Sequence, residues 1–206
     1  MIVRAWRKYR ARKSIVGICF DFFFLVVVIF LLVPHLRFLL HIGMVRLTLC
    51  QPTPVETTFF VNNFERITFR TVDDADTTIA FDVRRPVLYN FGSLGSAQSC
   101  AELRSLNKLA KRYFGQLDVF FITDDDPRTV KSYFDKYDYV IKPLFYVDVE
   151  EFLYEHDMLS ELCSSVPASL LVDDKGRVII KKFGAAKWVG SRVEAIVEEN
   201  LRHSKS

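Results

Sequence analysis

The thiols, imidazoles and clustered carboxylates of this 206-residue chain are the groups whose spacing can be tested first against known chemistry. Its four cysteines, Cys19, Cys50, Cys100 and Cys163, stand far apart, with no Cys-x-x-Cys and no Cys/His cluster. Such spacing spells neither a zinc site nor a disulfide framework, and it leaves the redox compartment open. Asp124, Asp125 and Asp126 could suggest a divalent cation. Three consecutive side chains do not converge on one point, however, and Asp126 before Pro127 is explained as a helix N-cap. No metal and no cofactor is expected. His156, among acidic residues, and His203, near the tail, have no serine or cysteine partner at a spacing that would make a hydrolase triad.

The elements that would position such groups begin with a stretch that belongs in lipid. Half of the residues are apolar and 19 are Phe, more than a soluble domain of this size needs. Ile15 to Val33 is a run of nineteen residues whose only charged member is Asp21. At 1.5 Å per residue it is long enough for a hydrocarbon core of roughly 30 Å, so residues 14–33 read as one transmembrane helix. Arg4, Arg7, Lys8, Arg10, Arg12 and Lys13 precede it in a basic tail, residues 1–13, without an acidic residue. The positive-inside bias then puts the N-terminus in the cytoplasm and the rest of the chain outside it, in the periplasm if the cell is bacterial. Asp21 lies within two turns of the basic end, where it can snorkel toward Arg12 or Lys13. Residues 34–56 read as a juxtamembrane amphipathic segment, ended by the linker Gln51-Pro52-Thr53-Pro54, since proline cannot continue a helical ladder. The net charge of +3 is small and its carriers are interspersed beyond the tail, so nucleic acid is excluded as a partner.

From residue 57 to 206 the pattern is that of one α/β domain. Short β-type runs at 58–61, 67–71 and 77–81 include a hairpin turning at Asp73-Asp74-Ala75-Asp76. Pro86 to Phe91 is apolar enough for a central strand and ends in the loop Gly92-Ser93-Leu94-Gly95-Ser96. Leu103, Leu106, Leu109, Ala110 and Tyr113 recur at helical spacing up to Gly115, predicting a helix over 97–114. A strand at 118–123, a helix from Pro127 to about Tyr137, a strand near 140–147 and a helix over 149–162 follow. The chain closes with strands at 168–172 and 177–183 around an Asp-Asp-Lys-Gly turn, and a helix over 191–202.

Two motifs carry a family resemblance. The stretch Tyr89-Asn-Phe-Gly-Ser-Leu-Gly-Ser-Ala-Gln-Ser-Cys-Ala-Glu-Leu103 resembles the strand, Trp-Cys-x-x-Cys loop and helix of the thioredoxin superfamily, and within it the membrane-anchored TlpA/ResA-like thiol-disulfide oxidoreductases. Asn90, Phe91 and Glu102 match; Gly95 stands for the Trp, and Ser96 and Ser99 stand for the two cysteines. Val166-Pro167, the turn ending at Gly176, and Gly184-Ala-Ala-Lys-Trp188 match the second hallmark, in which the family's proline is cis. The loop Asn90-Phe-Gly-Ser93 is also similar, more weakly, to the iodothyronine deiodinases, whose selenocysteine position would be Ser96. The resemblance implies a thioredoxin-like fold, a mixed central sheet flanked by helices, with an N-terminal β-hairpin extension.

It does not carry the activity over. A Cys-x-x-Cys enzyme needs a thiolate that attacks and a second thiol that resolves, and serine forms no disulfide. Cys100, about 100° further round the helix than Ser99, is expected to point away from the groove as an exposed or half-buried thiol. Cys163 is expected to be a buried structural cysteine. Glu102 is either the family's buried carboxylate or, without cysteines to tune, a solvated helix residue. The resemblance then implies a non-catalytic module whose groove, Gly95, Ser96, Ser99, Glu102, Val166 and Pro167, holds a protein or peptide partner. An atypical monothiol oxidoreductase or peroxidase using Cys100 or Cys163 is the alternative, and a structural assembly subunit the third.

Overall fold

The computed structural model describes residues 14–55, 59–60, 67–72, 76–79, 85–146 and 166–203. The helix expected over 149–162, with His156, and also Cys163, lie outside the described residues. The chain divides into two compact units, Met1–Met44 and Val45–Ser206.

The first unit holds α1 (Ile15–Leu32) and most of α2 (Pro34–Thr48), whose last four residues belong to the second unit. Ser14 caps α1, its hydroxyl accepting the Gly17 N–H at 3.2 Å. The helix stops where the chain meets Pro34, which forces its predecessor out of the helical region: Val33 is extended at φ −90°, ψ 110°. Among the described residues no single helix is long and apolar enough to cross a membrane. The pair Ile15–Ile29 and Pro34–Thr48 reaches that length together, bent by 100°. The apolar run expected as one helix over 14–33 forms α1, and the segment expected to be juxtamembrane begins with a separate helix, α2, after the break at Val33-Pro34. At 100° per residue, His35 and Arg46 of α2 fall on one side and Arg37 and His41 on the other, so α2 has no single polar stripe.

The second unit holds one eight-stranded sheet. Its strands are β1 (Phe59–Phe60), β2 (Ile67–Arg70), β3 (Asp76–Ile79), β4 (Val87–Phe91), β5 (Asp118–Thr123), β6 (Lys142–Tyr146), β7 (Ala168–Val172) and β8 (Arg177–Phe183). The helices are α3 (Ala97–Arg112), α4 (Pro127–Lys136) and α5 (Ser191–His203). The strand order is β1-β8-β7-β4-β5-β6-β2-β3. β4, β5 and β6 run parallel, and the other neighbours pair antiparallel. The expected hairpin is β2–β3, and it extends the sheet by pairing β2 with β6.

β4 and β7 are buried along their whole length, as apolar central strands must be. Their side chains alternate between two cores. Val87, Tyr89, Phe91, Ala168, Leu170 and Val172 pack on one face. Leu88 and Leu171 pack on the other, beneath Leu103, Leu106 and Leu109 of α3 and Val193 and Val197 of α5. Period-2 alternation places Asn90 and Ser169 on that second, helix-covered face as well. α3 ends at Arg112 with Tyr113 as its C-cap, two residues short of the end expected at 114, and Gly115 lies in the turn beyond it at φ +76°, where a side chain would be strained.

The segment expected to be a plain linker is tied into the sheet and helices. The Cys50 carbonyl accepts the Lys187 N–H at 2.9 Å, and the Val55 N–H donates to Ile179 at 2.9 Å. The Gln51 Oε1 accepts the N–H groups of Arg192 and Val193 at 3.1 and 3.4 Å, capping α5 from outside the helix.

Candidate functional site

The loop between β4 and α3 is held by hydroxyls and one carboxylate. Ser96 is the N-cap of α3, its Oγ accepting the Ser99 N–H at 3.3 Å. Ser99 is fully buried and its Oγ accepts the Ser93 N–H at 3.2 Å. Asp125 clamps the turn from the opposite side: Ser93 Oγ–H donates to Oδ1 at 2.8 Å and the Leu94 N–H to Oδ2 at 2.6 Å. Gly92 is needed where the loop leaves the sheet, because a Cβ there would sit 2.4 Å from the Phe121 ring. Both positions that match the family's cysteines thus carry oxygen atoms already accepting loop or helix N–H groups. Among the described residues neither hydroxyl is hydrogen-bonded to a histidine.

Below the loop lies a polar cluster inside the helix-covered core. Asn90 and Ser169 are cross-strand partners, both fully buried, with Glu102 of α3 above them. Asn90 Nδ2 is 2.5 Å from Glu102 Oε1 and 2.9 Å from Ser169 Oγ. Glu102 Oε2 accepts the Ala186 N–H at 2.8 Å and the Trp188 indole N–H at 3.4 Å. Burial pushes the Glu102 carboxyl up to about 7, against the opposing pull of these donors and of the Lys182 charge. The solvated-helix reading of Glu102 is thereby excluded.

Cys100 departs from the expected exposed or half-buried thiol, since it is 1% exposed. The first two turns of α3 bury residues on nearly every side, Ala97, Ser99, Cys100, Ala101, Glu102 and Leu103, because the helix enters between the sheet and neighbouring segments. The Cys100 S–H donates to the Leu94 carbonyl at 3.3 Å. Burial raises its pKa, outweighing the hydrogen bond from Tyr133 and the Arg46 charge that lower it. A thiol held protonated and covered is a poor nucleophile. Arg46 also donates to the Ala101 and Cys100 carbonyls at 3.4 and 3.3 Å.

The Val166–Pro167 bond is cis. Phe91 pairs with Ala168 and Ala168 with Phe183, so Pro167 sits at the sheet edge where Gly92 leaves it, and the Pro167 carbonyl accepts the Gly184 N–H at 2.7 Å. Asp126 caps α4 through the Thr129 N–H at 2.8 Å, as expected. Among the described residues, no group of three or more His, Cys, Asp or Glu side chains is placed to hold a metal ion. A cavity of about 280 Å³ lined by Arg85, Phe114, Asp118 and Lys142 lies at the opposite ends of β5 and β6, away from this loop.

The sequence singles out Asn90, Gly95, Ser96, Ser99, Glu102, Val166 and Pro167 and gives no part in the loop or cluster to Ser93, Asp125, Ser169 or Arg46. Ser169 carries one signal: a hydroxyl in an apolar run at the same alternation as Asn90.

No family model matches the chain, and no curated protein matches it in sequence. Solved structures do match in fold. The thioredoxin domain of a thiol-disulfide oxidoreductase from Bacteroides vulgatus is 17% identical over 70% of this chain and 98% of that one, with a TM-score of 0.54. A thiol:disulfide interchange protein from a Bacteroides species is 14% identical over 75% and 92%, at 0.53. A peroxiredoxin-like protein from Aquifex aeolicus is 14% identical over 74% and 92%, at 0.50. None of these three bears on the resemblance to deiodinases. With its mixed sheet, the loop from β4 into α3 and the cis proline at the start of β7, the chain has the thioredoxin-like α/β fold of the thiol-disulfide oxidoreductases.

Proposed function

We propose that this chain is a membrane-anchored, extracytoplasmic thioredoxin-like module that binds a protein or peptide without redox chemistry. The observation that carries the reading is the state of the loop. Ser96 and Ser99 occupy the cysteine positions with their oxygens engaged in helix and loop bonds, and the neighbouring thiol of Cys100 is buried. The groove would be formed by Gly95, Ser96, Val166 and Pro167 over the Glu102 cluster. Support for the anchor comes from the apolar residues of α1 and from the basic residues 4–13 before it, which favour a cytoplasmic N-terminus.

In a dithiol–disulfide turnover assay the full-length chain in detergent shows no activity above background, and Cys100→Ser changes nothing. Ser96→Cys combined with Ser99→Cys creates a reducible disulfide, because the α3 N-terminus that favours a thiolate is in place. Turnover by the unmodified chain that disappears in Cys100→Ser or Cys163→Ser would replace this reading with the monothiol one. For topology, a reporter active only outside the cytoplasm, fused after Ser206, is expected to be active; a cytoplasm-only signal reverses the orientation.

A further inference from the structure

Residues 46 to 55 bond in turn to three parts of the second unit. Arg46 donates to the Ala101 and Cys100 carbonyls in the first turns of α3 at 3.4 and 3.3 Å. The Cys50 carbonyl accepts the Lys187 N–H, and the Val55 N–H donates to the Ile179 carbonyl of β8, each at 2.9 Å. Gln51 Oε1 accepts from Arg192 and Val193 at the start of α5. Gly190 leaves the room that this amide needs, since a Cβ there would lie 2.5 Å from Gln51 Nε2.

Two of these parts are joined again from the inside. The N–H groups of residues 186 to 188 alternate in direction: Ala186 donates to Glu102 at 2.8 Å, Lys187 to the Cys50 carbonyl, and Trp188 to Ser105 Oγ at 3.1 Å. One short segment is thus shared between α3 and residues 46 to 55. The two sides differ in how firmly they are held. Ala186, Trp188 and Glu102 are fully buried and Cys100 nearly so, whereas Arg46, Cys50, Thr53 and Pro54 are exposed and Pro52 alone of residues 46 to 55 is buried. An outer segment with few buried side chains and solvent-exposed bonds opens at a lower free energy than the core beneath it.

We infer that residues 46 to 55 form a releasable strap that locks the first turns of α3 to the segment 186–193 and keeps the Cys100 thiol closed. Docked, the strap fixes Lys187, and with it the inward N–H groups on either side, while Arg46 fixes the turns of α3 that carry Cys100 and Glu102. Released, it loosens both together, because Glu102 and Ser105 join them from the inside, and the sheet stays folded. The strap begins in the last turn of α2, so a load on that helix reaches it before the sheet. The inference does not depend on whether the groove takes a peptide.

The test is residue-resolved hydrogen exchange together with iodoacetamide alkylation of Cys100, both on the full-length chain in neutral detergent. In the parent, alkylation of Cys100 and exchange at Ala101 and Lys187 are expected to follow one opening, with a common dependence on low urea, before the amides of β4 and β7 exchange. Gln51→Ala removes the acceptor at α5, and Gln51 has no hydrogen bond to α3. It is nevertheless expected to speed Cys100 alkylation and exchange at Ala101 and Lys187 by about fivefold while β4 and β7 keep their protection. Arg46→Ala is expected to act in the same way at Lys187 and Val193, which Arg46 does not bond. Gln51→Glu, which keeps an acceptor at the start of α5, should restore the parent rates. Effects confined to the groups that each side chain bonds make the contacts independent and overturn the strap. Exchange that quickens as much in β4 and β7 makes the opening global and overturns it too, as does a parent chain in which Cys100 and Lys187 open with different urea dependence.

Discussion

The turn from Gly92 to Ser99 and the polar cluster directly beneath it belong to one site, yet they stand in opposite relation to the chemistry of the fold. In the turn Ser96 and Ser99 present hydroxyls, Ser99 fully buried, and the loop is stitched by Asp125 and by Ser99 itself. Beneath, Asn90, Glu102, Ser169 and Trp188 form a bonded network in the buried core. The contrast teaches that the buried carboxylate does not depend on cysteines for its place. It receives N–H groups from the loop after β8 and lies against an amide from β4, so it ties α3 to two other parts of the unit. A structural duty of that kind needs no thiol beside it.

Removing the carboxylate is the severest way to break this contrast. In Glu102→Leu the Ala186 N–H and Trp188 indole N–H lose their buried acceptor. Each stranded group costs about 1–3 kcal/mol, so a loss of about 3–5 kcal/mol is expected in urea unfolding followed by tryptophan fluorescence. Glu102→Gln keeps an acceptor oxygen for the two N–H groups and is expected to stay within about 1 kcal/mol of the parent at neutral pH. If Leu is tolerated as well as Gln, the cluster is not what ties α3 down.

Titration sharpens the same point. Glu102 takes up its proton at about 7 in the folded chain, against 4.5 for a glutamate free in water. Between those values the folded state holds a proton that the unfolded state has released. Its contribution to stability is therefore fully present below about pH 4.5 and is lost as pH rises through about 7. At 1.36 kcal/mol per unit the fall amounts to about 3 kcal/mol, read as a decline in unfolding free energy from pH 5 to 8. In Glu102→Gln that decline should flatten. A parent chain whose stability is level across this window shows that the carboxylate stays ionised in the core.

Why the upper layer is harder to read than the lower one follows from the kind of signal each leaves. The strands, α3 and the β2–β3 hairpin follow from apolar spacing and turn residues, and Ser96 and Ser99 from their offset to Asn90 and Glu102. The Asp125 clamp leaves no such trace, because it joins residues more than thirty positions apart through a turn whose shape only the folded chain defines. Asp124-Asp125-Asp126 shows one capping role in sequence and conceals the other. The burial of Cys100 escapes the sequence for a related reason: a rotation of 100° takes a side chain off one face, but says nothing about what covers the next. At the N-terminal end, composition reveals the apolar run, and the break after it follows a local rule, proline forcing Val33 to be extended.

The clamp itself supplies the next prediction. Asp125→Ala removes the acceptors of the Ser93 hydroxyl and the Leu94 N–H, both bonds to one carboxylate. Because the loop is only partly buried, water can replace them, and the expected loss is about 1–2 kcal/mol. Hydrogen exchange should quicken at Leu94 and Gly95 while the amides of β4 and β7 keep their protection. Exchange that quickens equally in those strands would mean that loop and cluster open as one unit, and the distinction between them would fail.

The smallest effect separates the two serines from one another. Ser96 satisfies one of the free N–H groups at the start of α3, and losing such a cap costs about 1 kcal/mol. Ser96→Ala should lower stability by that amount, and Ser96→Asp should restore it, since a carboxylate also caps and opposes the positive end of the helix. Ser99 accepts a single N–H from the loop, but it does so fully buried. Ser99→Asp should therefore be worse than Ser99→Ala, because a charge would be forced into a space that a hydroxyl fills. An aspartate tolerated at both positions would place Ser99 in contact with solvent, and the loop would then keep an open polar floor rather than the closed one on which the non-catalytic reading stands.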